Sequence, residues 1–227
     1  SAPSRSIKST SKPSRNKSME FSTWLPYFVA TVVICISPGP GALSSMSAGM
    51  KYGFVRGMWN LAGLQAAIVV NVFAIWIGLG ALLIASTTAF DLMKYLGAAY
   101  LIYLGIQKFR EEPVPFEQIA AQTNFNDTSP FGIFKQGLLV NLTNPKGLLF
   151  LAAVLPQFVD ATRPTAIQYA ILGGTMVVVD VLVMIAYTAL ASTILRMLKD
   201  PNHIRWTNRG VGSLFVAAGG ALAVFKR

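Results

Sequence analysis

Cys35 and His203 are the only thiol and the only imidazole in the chain. One thiol cannot form an intrachain disulfide, a four-thiolate zinc site or a disulfide relay. One imidazole leaves no HExxH motif and no histidine cluster. Charge is scarce as well: 12% of the 227 residues are charged, against roughly 25% in typical soluble domains. These shortages argue against metal hydrolases, Ser-His-Asp catalysts, ordinary soluble enzymes, disordered proteins and coiled coils. No cofactor, no metal site and no nucleic-acid partner are expected. What the sequence has instead is apolar residues, at 53%, with a mean hydropathy of +0.53. That balance points to a membrane protein.

The net charge of +10 is unevenly placed. Residues 1–18 hold Arg5, Lys8, Lys12, Arg15 and Lys17, with no acid and no apolar run. They read as a disordered basic arm and, lacking an apolar h-region, not as a secretory signal. Met19 reads as the native start, and 1–18 as a tag, linker or leader.

A membrane-crossing helix needs about 20 mostly apolar residues. Six stretches meet this, at approximately 24–47, 56–85, 88–109, 132–158, 165–195 and 208–226. One polar stretch, 110–131, separates the third from the fourth and reads as a loop. Residues 19–227 therefore read as one six-helix domain in a lipid bilayer. Outside the arm, nine Lys and Arg residues fall on the side of the loops after spans one, three and five, and four on the other. The positive-inside rule then puts both termini outside. A native arm held in the cytoplasm would level the two totals.

Two spans carry helix breakers. Ser37-Pro38-Gly39-Pro40-Gly41 interrupts the first, and Asn141-Leu142-Thr143-Asn144-Pro145-Lys146-Gly147 the fourth. Proline removes a backbone donor and clashes with the preceding turn, and glycine loosens the chain further. Backbone groups freed at membrane depth are tolerated only against protein or a watery cavity. The breaks occupy the first helix of each three-helix half, and an odd number of helices inverts one half relative to the other. The expected fold is an all-α membrane protein of six transmembrane helices in two inverted three-helix repeats, the first helix of each half broken. In that architecture the paired breaks mark the substrate site. Gly97-Ala98-Ala99-Tyr100 to Gly105 and Gly212-Ser213-Leu214-Phe215 to Gly220 share an aromatic three residues after the first glycine and extend the repeat. Gly97 and Gly105 could form a homodimer face or pack internally.

Of the charged residues, only Lys146 and Asp180 fall near the middle of a span. A carboxylate at that depth costs about 3 kcal/mol by insertion scales and marks a pathway. Asp180 could carry a proton, hold a substrate amine or pair with Lys146. Asn141 and Asn144 share a helix face and offer amides to a small zwitterion. Gln65 and Asn71, six apart, do not share a tight face, so one could bond a neighbouring helix while the other lines a cavity. Tyr187, two turns beyond Asp180, could gate the site or bond there.

The first-span Ser37-Pro38-Gly39-Pro40, the fourth-span Asn141-Leu142-Thr143-Asn144-Pro145-Lys146 and Val179-Asp180 resemble the lysine-exporter superfamily of bacterial inner-membrane proteins. Ala62-Gly63-Leu64-Gln65, Phe150-Leu151-Ala152-Ala153 and Pro156-Gln157-Phe158 bring the resemblance closest to its homoserine/threonine-exporter branch, and there to homoserine and homoserine-lactone efflux. It covers about 20–227. The resemblance implies efflux of amino acids or close derivatives driven by protons, with 37–41, 141–146 and Asp180 lining the path. Many members of the superfamily carry Gly-Asp-x-x-His in the second span, where Ile68 and Asn71 stand here. A cationic substrate would want that acid, so its absence favours a small neutral amino acid such as homoserine or threonine over lysine. Export of a leucine-type or basic amino acid, or a small-solute channel, is the alternative. Two unlike breaks and a Lys146–Asp180 pair would obstruct a simple pore, and no intramembrane enzyme chemistry can be assembled from Ser37, Ser44, Ser45 and a lone Asp180.

Overall fold

The computed structural model describes residues 19–85, 87–110, 128–191 and 201–224. The arm at 1–18, the middle of the 110–131 loop and the ends of the fifth and sixth expected spans lie outside the described residues. Among the described residues every regular element is a helix. In chain order they are α1 (Phe21–Ile36), α2 (Pro40–Ala85), α3 (Thr87–Arg110), α4 (Pro130–Leu142), α5 (Pro145–Ala153), a 3-10 turn (Leu155–Phe158), α6 (Thr165–Ala189) and α7 (Pro201–Val224).

Helix starts follow local chemistry. Pro130 and Pro145 each open a helix, where a missing N–H costs nothing. Ser129 caps α4 by accepting from the Gly132 N–H at 3.0 Å, and Asn144 caps α5 by accepting from the Lys146 N–H at 3.1 Å. Both are favoured cap residues. α7 begins at Pro201, earlier than the stretch expected over 208–226, because apolar content alone misses a polar first turn opened by proline.

The breaker motifs interrupt their helices. α1 stops at Ile36 and α2 starts at Pro40; α4 stops at Leu142 and α5 starts at Pro145. The separation expected near 48–55 takes another form. α2 runs for 46 residues and is interrupted only at Gly53, with φ 77° and ψ 170°. That conformation suits glycine alone. α2 is thus two stretches, 40–52 and 54–85, joined at one kink.

Among the described residues two helices are long and apolar enough to cross a bilayer, Pro40–Gly78 and Thr165–Ala189. Pro130–Leu142 with Pro145–Phe158, bent by 53°, makes a third if counted as one broken span. On α6 the buried side chains include Tyr169, Met176, Asp180, Met184 and Tyr187, while Val178 and Leu182 are 60% and 64% exposed. An outward apolar face of this kind fits lipid better than water.

Contacts fix the helix directions. Gln65 meets Asp180, Gly57 meets Thr188 and Gly173 meets Val72, so 54–85 runs antiparallel to α6. Gly105 lies on the Gly212 carbonyl and Gly219 on the Ala98 carbonyl, so α3 runs antiparallel to α7. Asn60 meets Gly137 and, one turn on in both helices, Leu64 meets Asn141, so 54–85 runs parallel to α4. Glu20 bonds Arg163 and Ile36 receives Tyr187, so α1 runs parallel to α6. Gly105 is therefore engaged inside the chain, and Gly97 is buried as well. The main apolar cluster is built around Tyr27, Phe150, Leu101, Leu155, Leu172 and Phe215. A smaller one gathers Met46, Leu61, Leu64, Met184 and Tyr187 around the first turns of α2.

Candidate functional site

Each break leaves backbone carbonyls without helical partners; side chains from elsewhere supply those of the first, and the break's own residues serve the second. Pro40 has no N–H, so the Ile36 carbonyl loses its donor four residues on. The Tyr187 hydroxyl donates to it at 2.7 Å. The Ser37 carbonyl accepts from Lys146 Nζ. At the second break Pro145 deprives the Asn141 carbonyl in the same way, and the Asn144 N–H turns back to it at 3.3 Å. Thr143 Oγ1 donates to the Leu139 carbonyl at 2.8 Å.

Asn141 and Asn144 are committed to this frame. Asn144 Nδ2 donates to Asn141 Oδ1 at 3.1 Å, and Asn141 Nδ2 donates across to the Leu64 carbonyl at 2.9 Å. One amide thus caps α5 while the other ties the break to α2. Each NH₂ has a second hydrogen, so both still offer a donor.

The two breaks face each other across a cavity of about 50 Å³, room for a few water-sized groups. Ser37, Gly39 and Gly41 line it from the first break, and Asn141, Asn144, Lys146 and Gly147 from the second. Asn71 and Asp180 complete the polar lining. A side chain at Gly39 would start 3.2 Å from Lys146 Cδ, so glycine leaves the space that the lysine stem occupies. Asp180 is 8% exposed and accepts from Gln65 Nε2 at 2.7 Å. It also lies within reach of the Cys35 thiol and in the field of Lys146.

Of the residues singled out in the sequence, the cavity brings together Ser37, Gly39, Gly41, Asn71, Asn141, Asn144, Lys146 and Asp180. Gln65 stands behind Asp180 as its hydrogen-bond donor and is not in the lining. Tyr187 is a brace for the first break. Pro38, Pro40 and Pro145 make the breaks without lining the cavity. Sequence reasoning missed the apolar and sulfur wall of Ile34, Cys35, Leu64, Leu151, Met176 and Met184, and Ile68 stands out in the sequence only for the acid it replaces. The spacing of Met176, Asp180 and Met184, four residues apart, is a readable signal that all three share one helix face. The Cys35 thiol donates to Met176 Sδ at 4.0 Å, closing that wall.

Chemically the site offers a cation, a carboxylate, amides and an apolar wall in a small space, with no metal-binding cluster of His, Cys, Asp or Glu among the described residues. It suits a small zwitterion.

A protein of Vibrio cholerae serotype O1 described as an uncharacterized membrane protein is 39% identical over 208 residues, covering 92% of this chain and all of its own. Homoserine/homoserine lactone efflux proteins of Salmonella typhimurium and Salmonella typhi are each 39% identical over 205 residues, covering 90% of this chain and 98% of their own. No solved structure matches. The family described as LysE type translocator matches residues 32–225, a stretch that holds both breaks and the whole cavity. The chain is an integral membrane protein of the LysE-type translocator family.

Proposed function

We propose that this translocator exports a small neutral amino acid or derivative, homoserine, threonine or homoserine lactone, across the bacterial inner membrane in exchange for protons. The observation that carries the reading is the meeting of two broken helices across one cavity, with Lys146 from α5 and Asp180 from α6 in its wall. The names of the Salmonella relatives support the substrate class. Ile68 supports the preference for a neutral side chain, since it lines the cavity without charge.

In this reading the chain makes six passes as two inverted three-helix halves. The antiparallel pairs 54–85 with α6 and α3 with α7 support it, as do the parallel pairs α1 with α6 and 54–85 with α4. With α1 and the first stretch of α2 making the first pass together, the α3–α7 pair and the 54–85 pairs fit up-and-down alternation. With the basic loops in the cytoplasm, both termini are periplasmic. Substrate enters from the cytoplasm. Its ammonium group binds Asp180, and its carboxylate, or in the lactone the ring carbonyl, draws Lys146 Nζ from the Ser37 carbonyl and meets the positive N-terminal end of α5. A proton arriving on Asp180 from outside removes the charge that holds the ammonium group and assists release. One acid thus alternates between substrate and proton.

The test is movement of radiolabelled homoserine, threonine, leucine and lysine in proteoliposomes, with and without an imposed pH gradient. Homoserine or threonine is expected to move, faster when the release side is acidic, with lysine excluded. Movement indifferent to the gradient would overturn the coupling, and movement of lysine alone would overturn the substrate class.

A further inference from the structure

α1 carries a line of buried polar side chains, of which only the innermost reaches the cavity. Tyr27, Thr31 and Cys35 recur every four residues and stack along one helix face. Tyr27 and Thr31 are 0% exposed and Cys35 is 4% exposed. The Tyr27 hydroxyl lies beside the Thr31 side chain, yet neither oxygen has a partner in hydrogen-bonding geometry among the described residues. Thr31 also forgoes the usual bond back to the carbonyl one turn earlier. Thr175 and Thr188 on α6 both make that bond, each at 2.8 Å. Cys35, the inner end of the line, shares the cavity wall with Asp180. Tyr27, the outer end, packs edge-on against Phe158 with ring centroids 5.4 Å apart. Beside Phe158, Gln157 holds another buried and unpartnered oxygen, Oε1.

Folded proteins keep few buried polar atoms unpaired, because each one costs stability. Phenylalanine at 27 and valine at 31 would fill the same space without that cost. Two unpaired hydroxyls on successive turns, in line with the one carboxylate of the cavity, need a reason other than packing.

We infer that Tyr27 and Thr31 form the path by which protons reach Asp180 from the membrane face where α1 begins. A hydroxyl both donates and accepts, so it can take a proton on one side and release another on the other. The distance from Tyr27 to Cys35 is about 12 Å along the axis, the rise of eight residues, so transfer requires water to enter between successive groups. The step balances simply. A proton from bulk water enters at Tyr27, O–H bonds are exchanged along the line, and the carboxylate of Asp180 becomes a neutral carboxyl. Lys146 of α5 and Cys35 of α1 are the titratable groups that face Asp180 from neighbouring elements, while α2 presents the neutral Gln65. Tyr187, on the same helix as Asp180, is committed to the Ile36 carbonyl.

The inference rests on the transport reading. Its test compares two assays in proteoliposomes: homoserine efflux driven by a pH gradient, and exchange of homoserine for homoserine at equal pH. Exchange needs the substrate site but no net proton movement. Thr31→Val and Tyr27→Phe are each expected to slow gradient-driven efflux by about tenfold, the effect of losing one hydrogen-bonding group, and to leave exchange unchanged. Thr31→Ser, which keeps the hydroxyl, should restore efflux. Normal gradient-driven efflux in the two variants would overturn the proton path, as would an equal fall in both assays without rescue by serine. A wild-type protein that exchanges homoserine but ignores the gradient would overturn the coupling and the path together. Variants that respond to the gradient as fully as a responsive wild type would overturn the path alone.

Discussion

A missing N–H at Pro40 is answered by a hydroxyl from Tyr187, far along the chain. Tyr187→Phe keeps the ring and removes the donor to the Ile36 carbonyl. The variant should lose about 1–3 kcal/mol, the cost of an unsatisfied buried acceptor, read as a lower unfolding midpoint in detergent. Asp180 is the opposite case: a carboxylate at that depth costs stability, and in the proposed function it is kept to hold substrate and proton in turn. Asp180→Asn should abolish gradient-driven export while substrate exchange survives in part, as proteoliposome flux would show. The polar residues of the site were legible because Pro, Gly, Asn, Lys and Asp are conspicuous in apolar helices. Cys35, Met176 and Met184 were not, because a sulfur side chain in a membrane helix looks the same whether it faces a cavity, a neighbouring helix or lipid.

At the scale of elements, α2 and α4 touch backbone to backbone. A Cβ added at Gly137 would lie 2.1 Å from the Asn60 carbonyl oxygen, and one at Gly63 would lie 2.0 Å from that of Phe134. Main chain cannot move aside as a flexible side chain can, so Gly137→Val should force the helices apart. The expected result is little monodisperse protein on size exclusion, with Gly78→Ala, which meets open space, as the unaffected control. Both helix breaks were legible because proline's missing donor and steric clash act locally. The continuous path of α2 was not. The small residues that follow Gly41 suit a helix or a loop equally well, and only the backbone angles of Gly53 show where the chain bends.

For the whole molecule, the run of helices reads from hydropathy, but which helix packs on which does not. Those pairings come from close contacts such as Gly105 with Gly212, where complementary shape decides and composition is silent. The proposed topology has a direct check. A phosphatase fused at the C-terminus should be active, and a fluorescent protein at the same site dark, if that terminus is periplasmic.

The bonds that the second half lends to the first have a consequence for how the protein is made. Tyr187, Lys146 and Asn141 all belong to the second half, and all donate to carbonyls of the first, at Ile36, Ser37 and Leu64. A ribosome releases the acceptors before their donors exist. Until the second half arrives, the first waits in the bilayer with its interrupted helix open, a substrate for quality-control proteases. Residues 19–110 expressed alone should therefore be short-lived, and co-expression of 128–227 as a separate chain should extend their lifetime in a pulse-chase experiment.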